Sequence, residues 1–181
     1  METKKRILVF NSGSGSGFQE VVENSKTGVL NAEIVGLITN NEKYGCIQRA
    51  EKLGIPVYLM KYPKDGKNAA PIYQEIMKHF NPDFIILSGW LKPVFASIFD
   101  PQTTINIHPG PLPKFGGKGM YGHYVHEAVI KAYKAGKITY TEVCIHFVTD
   151  EYDQGPVFFR YPVLIQQVCH YAFLPKNIHL D

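Results

Sequence analysis

No apolar run in this chain of 181 residues approaches the length of about 20 that spans a bilayer. The first such run, residues 6–10 (RILVF), gives way to the polar stretch NSGSGSG and is too short for the core of a secretory signal. Cysteine is sparse. Cys46, Cys144 and Cys169 are an odd number with no C-x-x-C spacing, which excludes a disulfide scaffold and predicts a reducing, cytoplasmic setting. A basic stripe is also missing. Lys and Arg number 19 against 16 Asp and Glu and are scattered, so the net charge of +3 predicts no nucleic-acid groove and no membrane surface, and suits a small anionic ligand. Repeats, linkers and low-complexity segments are lacking too. With 45% hydrophobic and 19% charged residues, residues 1–181 read as a single globular domain.

Short β-branched or apolar runs at residues 6–10, 32–39, 56–60, 83–87 and 103–107 predict five strands. Helical spacing predicts helices over residues 18–25, 44–53, 71–80 and 121–133, the second closed by Gly54, the third by Asn81-Pro82 and the last by Gly136. Residues 88–99 (SGWLKPVFASIF) are expected to hold a loop and a short helix. Residues 139–148 and 157–165 read as longer strands joined by the turn DEYDQGP. This alternation predicts an α/β fold, a Rossmann-like and mainly parallel twisted sheet flanked by helices, ending in an antiparallel hairpin. Tyr121, Tyr124 and Tyr133 are read as partial core.

The stretch that organises the rest is TTINIHPGPLPKFGGK, residues 103–118. Alternation along its strand puts Asn106 and His108 on one face and Ile105 and Ile107 on the other. Open parallel sheets place their reactive groups at this end of a strand. An amide can stabilise a developing oxyanion, and an imidazole exchanges protons near neutrality. By itself such a histidine is more often a core imidazole bonded to backbone. Asp150 and Asp153, in a later turn, are both candidates to orient or charge it, although Asp is also an ordinary turn former.

The glycine-serine loop, residues 12–17, follows a strand and opens a helix, so its N–H groups can face a phosphate; the bland alternative is a flexible turn. Gly13, Gly15 and Gly17 alternate instead of spelling G-x-G-x-x-G, and the second strand ends in Asn40-Asn41 instead of an acid, which argues against a dinucleotide. No stretch fits G-x-x-x-x-G-K-[ST], since Leu112 stands where the first glycine belongs and Gly119 follows Lys118. His123 and His126 lack the spacing of a zinc-protease helix and have no cysteine nearby, so no metal is expected.

The segments SGSGSGFQ, LSGWLKPV, NIHPGPLPKFGGKGMYG and HFVTDEYDQGPV occur in an order that resembles the folate-dependent formyltransferases, over about residues 6–165. The glycine-serine loop points to the phosphoribosylglycinamide formyltransferase branch. The resemblance implies that Asn106, His108 and Asp153 are catalytic and that Gly15, Ser16 and Gly17 hold the substrate phosphate. It further implies that Leu91, Lys92 and Val94, with Val148, Thr149 and Asp150 opposite, hold the folate. The donor would be 10-formyltetrahydrofolate, the acceptor glycinamide ribonucleotide, the pathway purine biosynthesis, and the protein a cytoplasmic monomer or homodimer without a metal.

Two departures from the family pattern stand out. Gly17 replaces a usual asparagine, and after about residue 165 the chain reads QQVCHYAFLPKNIHLD instead of an acid-threonine pair and a helix bearing glutamate and histidine. A domain shortened or divergent there is expected to keep folate recognition while binding its acceptor more weakly. Other readings of the same residues are formyl transfer to an amino-sugar nucleotide or methionyl-tRNA, folate deformylation, and non-catalytic folate or nucleotide binding. The tRNA and deformylating relatives carry added domains, and none is expected within these 181 residues.

Overall fold

The computed structural model describes residues 3–63, 68–95 and 97–165. In chain order the elements are β1 (Lys5–Phe10), α1 (Ser16–Thr27), β2 (Ala32–Thr39), α2 (Gly45–Leu53), β3 (Val57–Leu59) and α3 (Ala69–Phe80). They continue with β4 (Phe84–Leu87), β5 (Thr104–His108), α4 (His123–Lys134), β6 (Tyr140–Phe147) and β7 (Val157–Leu164). The strands form one seven-stranded sheet in the order β3-β2-β1-β4-β5-β6-β7. Neighbours from β3 to β5 pair in parallel, and β6 and β7 add on in antiparallel fashion. This is the architecture that the alternating runs predict. Strand order reverses between β1 and β4, and a sheet of this kind opens a crevice beyond the carboxyl ends of those strands.

Both faces of the central strands are covered, which is why they read as continuous apolar runs. On one face Leu8, Phe10, Ile85 and Leu87 pack with Tyr73 and Ile76 of α3; on the other Ile7, Val9 and Ile86 pack with Phe18 and Val22 of α1 and with Cys46 and Ala50 of α2. Phe115, Val125 and Val129 form a smaller cluster under α4. Helices α1 and α2 end at Gly28 and Gly54, both at left-handed φ where a Cβ would be strained. Helix α1 begins two residues before its first apolar side chain, because Gly15, at φ 79°, turns the chain into the helix at Ser16.

Residues 88–99 differ from expectation. Where a short helix was predicted, the described residues form turns, with Phe99 N–H bonded to Phe95 O at 2.9 Å. The apolar spacing there serves the core instead, since Trp90, Val94 and Phe99 are all buried in the cluster of Phe10 and Tyr73. Tyr121 and Tyr124 are also not core; they stack edge-on at 5.2 Å and are exposed. The divergent ending, residues 166–181, lies outside the described residues.

Tyr73 holds this loop to α3. Fully buried, it donates its hydroxyl to Pro93 O at 2.9 Å and accepts Trp90 Nε1–H at 3.1 Å, while its ring meets Phe99 edge-on at 4.9 Å. Burial pushes the hydroxyl far above its ordinary pKa, so it stays protonated and able to donate. Tyr73→Phe strands both partners and is expected to cost about 1–3 kcal/mol. Urea unfolding followed by emission of Trp90, the single tryptophan, measures this, and an unchanged midpoint would show the two bonds to be dispensable.

Candidate active site

Strand β5, next to β4, delivers Asn106 and His108 to the carboxyl edge of the parallel strands, one strand from the switch point. Its antiparallel neighbour β6 sets His146 directly opposite Asn106 and Cys144 opposite His108, so all four side chains share one face. The turn after β6 then returns Asp153 to that face. Asp153 adopts a left-handed φ of 57°, a conformation that Asp tolerates better than most residues and that commonly marks functional turns. Gly155 is required two residues on, because a Cβ there would lie 1.7 Å from Phe147 O.

The carboxylate of Asp153 is bonded through both oxygens. Oδ1 accepts from Asn106 Nδ2 at 3.3 Å and lies 3.5 Å from His146 Nε2; Oδ2 accepts from Gly117 N–H at 2.9 Å and lies 3.6 Å from His108 Nδ1. Burial alone would raise its pKa, but the contact with His146, the neighbouring His108 and the Gly117 N–H outweigh it and hold the carboxyl below its ordinary range. His108 shows the opposite balance. Burial lowers its pKa more than the charge of Asp153 and the Phe115 carbonyl raise it. The imidazole is therefore neutral near pH 7, with Nε2–H donating to Phe115 O at 2.8 Å and Nδ1 turned to the carboxylate. Close approach to Asp153 does not by itself make an ion pair here.

Asp153, not Asp150, enters the cluster: Asp150 stays on the exposed side of the turn. His146, missed in the sequence reading, is 2% exposed and its Nε2 lies 3.0 Å from Asn106 Nδ2. The signal for it was alternation within residues 139–148, which puts Cys144, His146 and Val148 on one face, but cross-strand register was needed to bring it to Asn106.

The glycine-serine loop sits beside this cluster, at the ends of β1 and β4. Ser12 N–H bonds Gly89 O at 3.0 Å, and Asn11 bonds Ser88 O through its side-chain amide. The carbonyls of Gly13 and Ser14 turn away toward α2, accepting from Cys46 N–H at 3.1 Å and Arg49 Nε at 3.0 Å. Helix α1 has no side-chain cap, and its first internal bond, Gln19 N–H to Gly15 O, leaves the N–H groups of Ser16, Gly17 and Phe18 without helical partners. That arrangement suits an anion. Gly15 is needed twice over, since a Cβ would strain its φ and lie 2.6 Å from Cys46 Cβ. A Cβ on Gly17 would meet only the rotatable Ser88 Oγ, at 2.7 Å.

Of the residues assigned to folate, Leu91 is exposed and its N–H reaches Ser12 Oγ at 3.4 Å, while Lys92 Nζ lies 5.3 Å above the Tyr62 ring. Val94 and Val148 join the Phe10 and Tyr73 core cluster, so their side chains are turned into the core. Thr149 Oγ1 donates to Glu151 O at 3.1 Å. Among the described residues no group of three or more His, Cys, Asp or Glu side chains is arranged to hold a metal ion. No helix there is long and apolar enough to cross a membrane.

A doubly wound sheet with an amide, an imidazole and a carboxylate gathered beside its switch point defines a class, and comparison with known proteins names it. The chain belongs to the formyl transferase family, whose profile matches residues 5–172. Within that family it is similar to the chloroplastic phosphoribosylglycinamide formyltransferases of Arabidopsis thaliana and Vigna unguiculata. The former is 36% identical over 85% of this chain and 53% of the relative, the latter 40% identical over 85% and 49%. The chain thus spans about half the length of the curated relatives it matches. The crystal structure of glycinamide ribonucleotide transformylase 1 from Geobacillus kaustophilus superposes with a TM-score of 0.75 at 33% identity, covering 91% of this chain and 85% of that one.

The balance at His108 has a measurable consequence. A histidine with a depressed folded pKa costs nothing above its unfolded value of about 6.5 and destabilises the fold as pH drops through that value. Asp153, depressed in the folded state, stabilises above the ordinary carboxylate value of about 3.9 and loses that contribution below it. The urea midpoint is therefore expected to fall between about pH 7 and 5, and again in stronger acid. His108→Gln keeps a donor for Phe115 O and should flatten the first decline; equal slopes for both proteins would rule out control by His108.

Proposed function

We propose that this chain transfers the formyl group of 10-formyltetrahydrofolate to the amine of glycinamide ribonucleotide, a step of purine synthesis. The observation that carries the reading is the joining of two features at one sheet edge. These are the Asn106, His108 and Asp153 cluster and, next to it, the uncapped N-terminus of α1 with its loop carbonyls turned away. One suits acyl-type chemistry on an amine, the other a phosphate on the same substrate.

In this reading the substrate amine attacks the formyl carbon and a tetrahedral oxyanion forms. It collapses when the folate nitrogen leaves, taking up a proton. His108, neutral beforehand, accepts the proton lost by the amine, and the resulting cation is held by Asp153 and favours the oxyanion. Because that charge appears only as the reaction proceeds, the interaction acts on the transition state more than on bound substrate. Ser16, Gly17 and Phe18 N–H groups hold the phosphate, and the loop around Leu91 and Lys92, with the turn from Val148 to Asp150 opposite, takes the folate. The two buried free thiols, Cys46 and Cys144, suit a reducing compartment such as the cytosol.

The direct test mixes the protein with 10-formyltetrahydrofolate and glycinamide ribonucleotide and follows loss of the formyl group, with an amino-sugar nucleotide as the comparison acceptor. Formyl transfer to the ribonucleotide is expected, and preference for the amino sugar would refute the acceptor named here. His108→Ala should lower kcat by roughly 100-fold or more. Retention of wild-type turnover in a folded variant would remove His108 from the chemistry.

Gly15→Val is a poor probe of the phosphate loop, since strain and the clash with Cys46 would disturb the fold itself. Ser16→Asp separates the two effects. Ser16 is exposed at the first position of α1, where a carboxylate stabilises the helix by about 0.3–1 kcal/mol and repels a bound phosphate. The KM for the ribonucleotide is expected to rise at least tenfold, by roughly the loss of one charge-assisted bond, with folate KM and unfolding midpoint preserved. Equal rises for both substrates would argue that the phosphate binds elsewhere.

A further inference from the structure

We infer that Arg49 of α2 is a positioning residue for the acceptor's phosphate: it holds the Ser14 carbonyl toward α2 and so turns the Gly15 N–H toward the bound anion. This role rests on the reading that places the phosphate at the start of α1. Two helix N-termini meet at the glycine-serine loop, and the loop uses them differently. At α2 the Cys46 N–H is already engaged by Gly13 O at 3.1 Å, whereas the first turn of α1 has no side-chain cap. The peptide unit that joins Ser14 to Gly15 lies between them. Its oxygen accepts from Arg49 Nε at 3.0 Å. Because this unit is trans and planar, its N–H leaves on the side opposite its oxygen, so the Gly15 N–H points away from Arg49. Among the described residues no acceptor meets it.

Gly15 is left-handed, at φ 79° and ψ 24°, and Ser16 after it is already helical. Such a change of hand curls successive N–H groups into one concavity, so Gly15 joins Ser16 and Gly17 as a donor. Turning the Ser14–Gly15 peptide over would replace that N–H with an oxygen and repel a phosphate. Arg49 opposes the turn through a charge-assisted bond, roughly twice as strong as a neutral one. The same bond polarises the peptide and makes its N–H a better donor.

The guanidinium is itself held in place. Arg49 Nη1 donates to Gln19 Oε1 in the first turn of α1, and Gln19 Nε2 donates onward to Glu23 Oε1 at 2.7 Å. One side chain of α2 thus ties the loop to the start of α1. Among the described residues Arg49 forms no ion pair, so its charge is left to favour an anion at the loop. The loop assigned to folate is held by other contacts, from Leu91 N–H to Ser12 Oγ and from Lys92 to the Tyr62 ring. Loss of Arg49 therefore affects the two substrates unequally.

That inequality is the test. Arg49→Met keeps the side chain's length but neither donor nor charge, and is expected to raise the ribonucleotide KM about tenfold, with kcat and folate KM within about twofold of wild type. Arg49→Lys restores a charged donor for Ser14 O and should return that KM to within about threefold of wild type. A folded methionine variant with an unchanged ribonucleotide KM, or with an equal rise for folate, overturns the role, as does a lysine variant no better than the methionine one. A second measurement needs no variant. In ¹⁵N-labelled wild-type protein the Gly15 amide proton is expected to move downfield with those of Ser16 and Gly17 as glycinamide ribonucleotide is added. A Gly15 amide that stays in place while the other two move overturns the role, and silence of all three overturns it together with the phosphate reading. Formyl transfer to the ribonucleotide with a silent Gly15 amide leaves the proposed function standing without Arg49. A moving Gly15 amide, and calorimetric affinity for the ribonucleotide about tenfold weaker in Arg49→Met, in a protein that formylates no amine, leaves the role of Arg49 standing without the proposed function.

Discussion

A carboxylate that is nine-tenths buried needs polar neighbours, and the arrangement at the sheet edge follows from meeting Asp153. Its partners arrive from separate segments: Asn106 and His108 from β5, His146 from β6, and the Gly117 N–H from the loop between β5 and α4. Removing the charge would leave these groups to face one another. The antiparallel addition of β6 is what makes such convergence available, because a directly opposed pair sets His146 against Asn106 with no intervening turn. The parallel half of the sheet contributes a different resource, the N-terminus of α1, oriented by the crossover from β1.

The order of strands and helices was legible because each central strand is buried on both faces and each helix on one, so periods in the sequence report directly on packing. Boundaries moved by a residue or two where backbone geometry, not side-chain pattern, opens the element, as Gly15 does for α1. Residues 88–99 misled for a related reason. Trp90, Val94 and Phe99 converge on Tyr73 from a series of turns, and apolar spacing alone does not distinguish a helix from a loop folded into the core.

At the site, alternation along β5 was sufficient to pair Asn106 with His108, since it needs only local geometry. Choosing Asp153 over Asp150 required the backbone of the turn, and the residues by themselves left both open. His146 was out of reach for a deeper reason. Its place beside Asn106 depends on the register between β5 and β6, and the loop and helix separating these strands contain no pattern that sets it.

The close approach at Gly155 carries a consequence for how this turn can vary. With Phe147 O where a Cβ would be, the position admits no side chain, so every codon change that alters the residue must also move the backbone. The exposed side chains of Tyr152 and Gln154 are free of that constraint. Asp153 is not, because its placement depends on how tightly the chain folds back two residues later. A single hydrogen atom, the whole side chain of Gly155, thus sets the reach of the carboxylate.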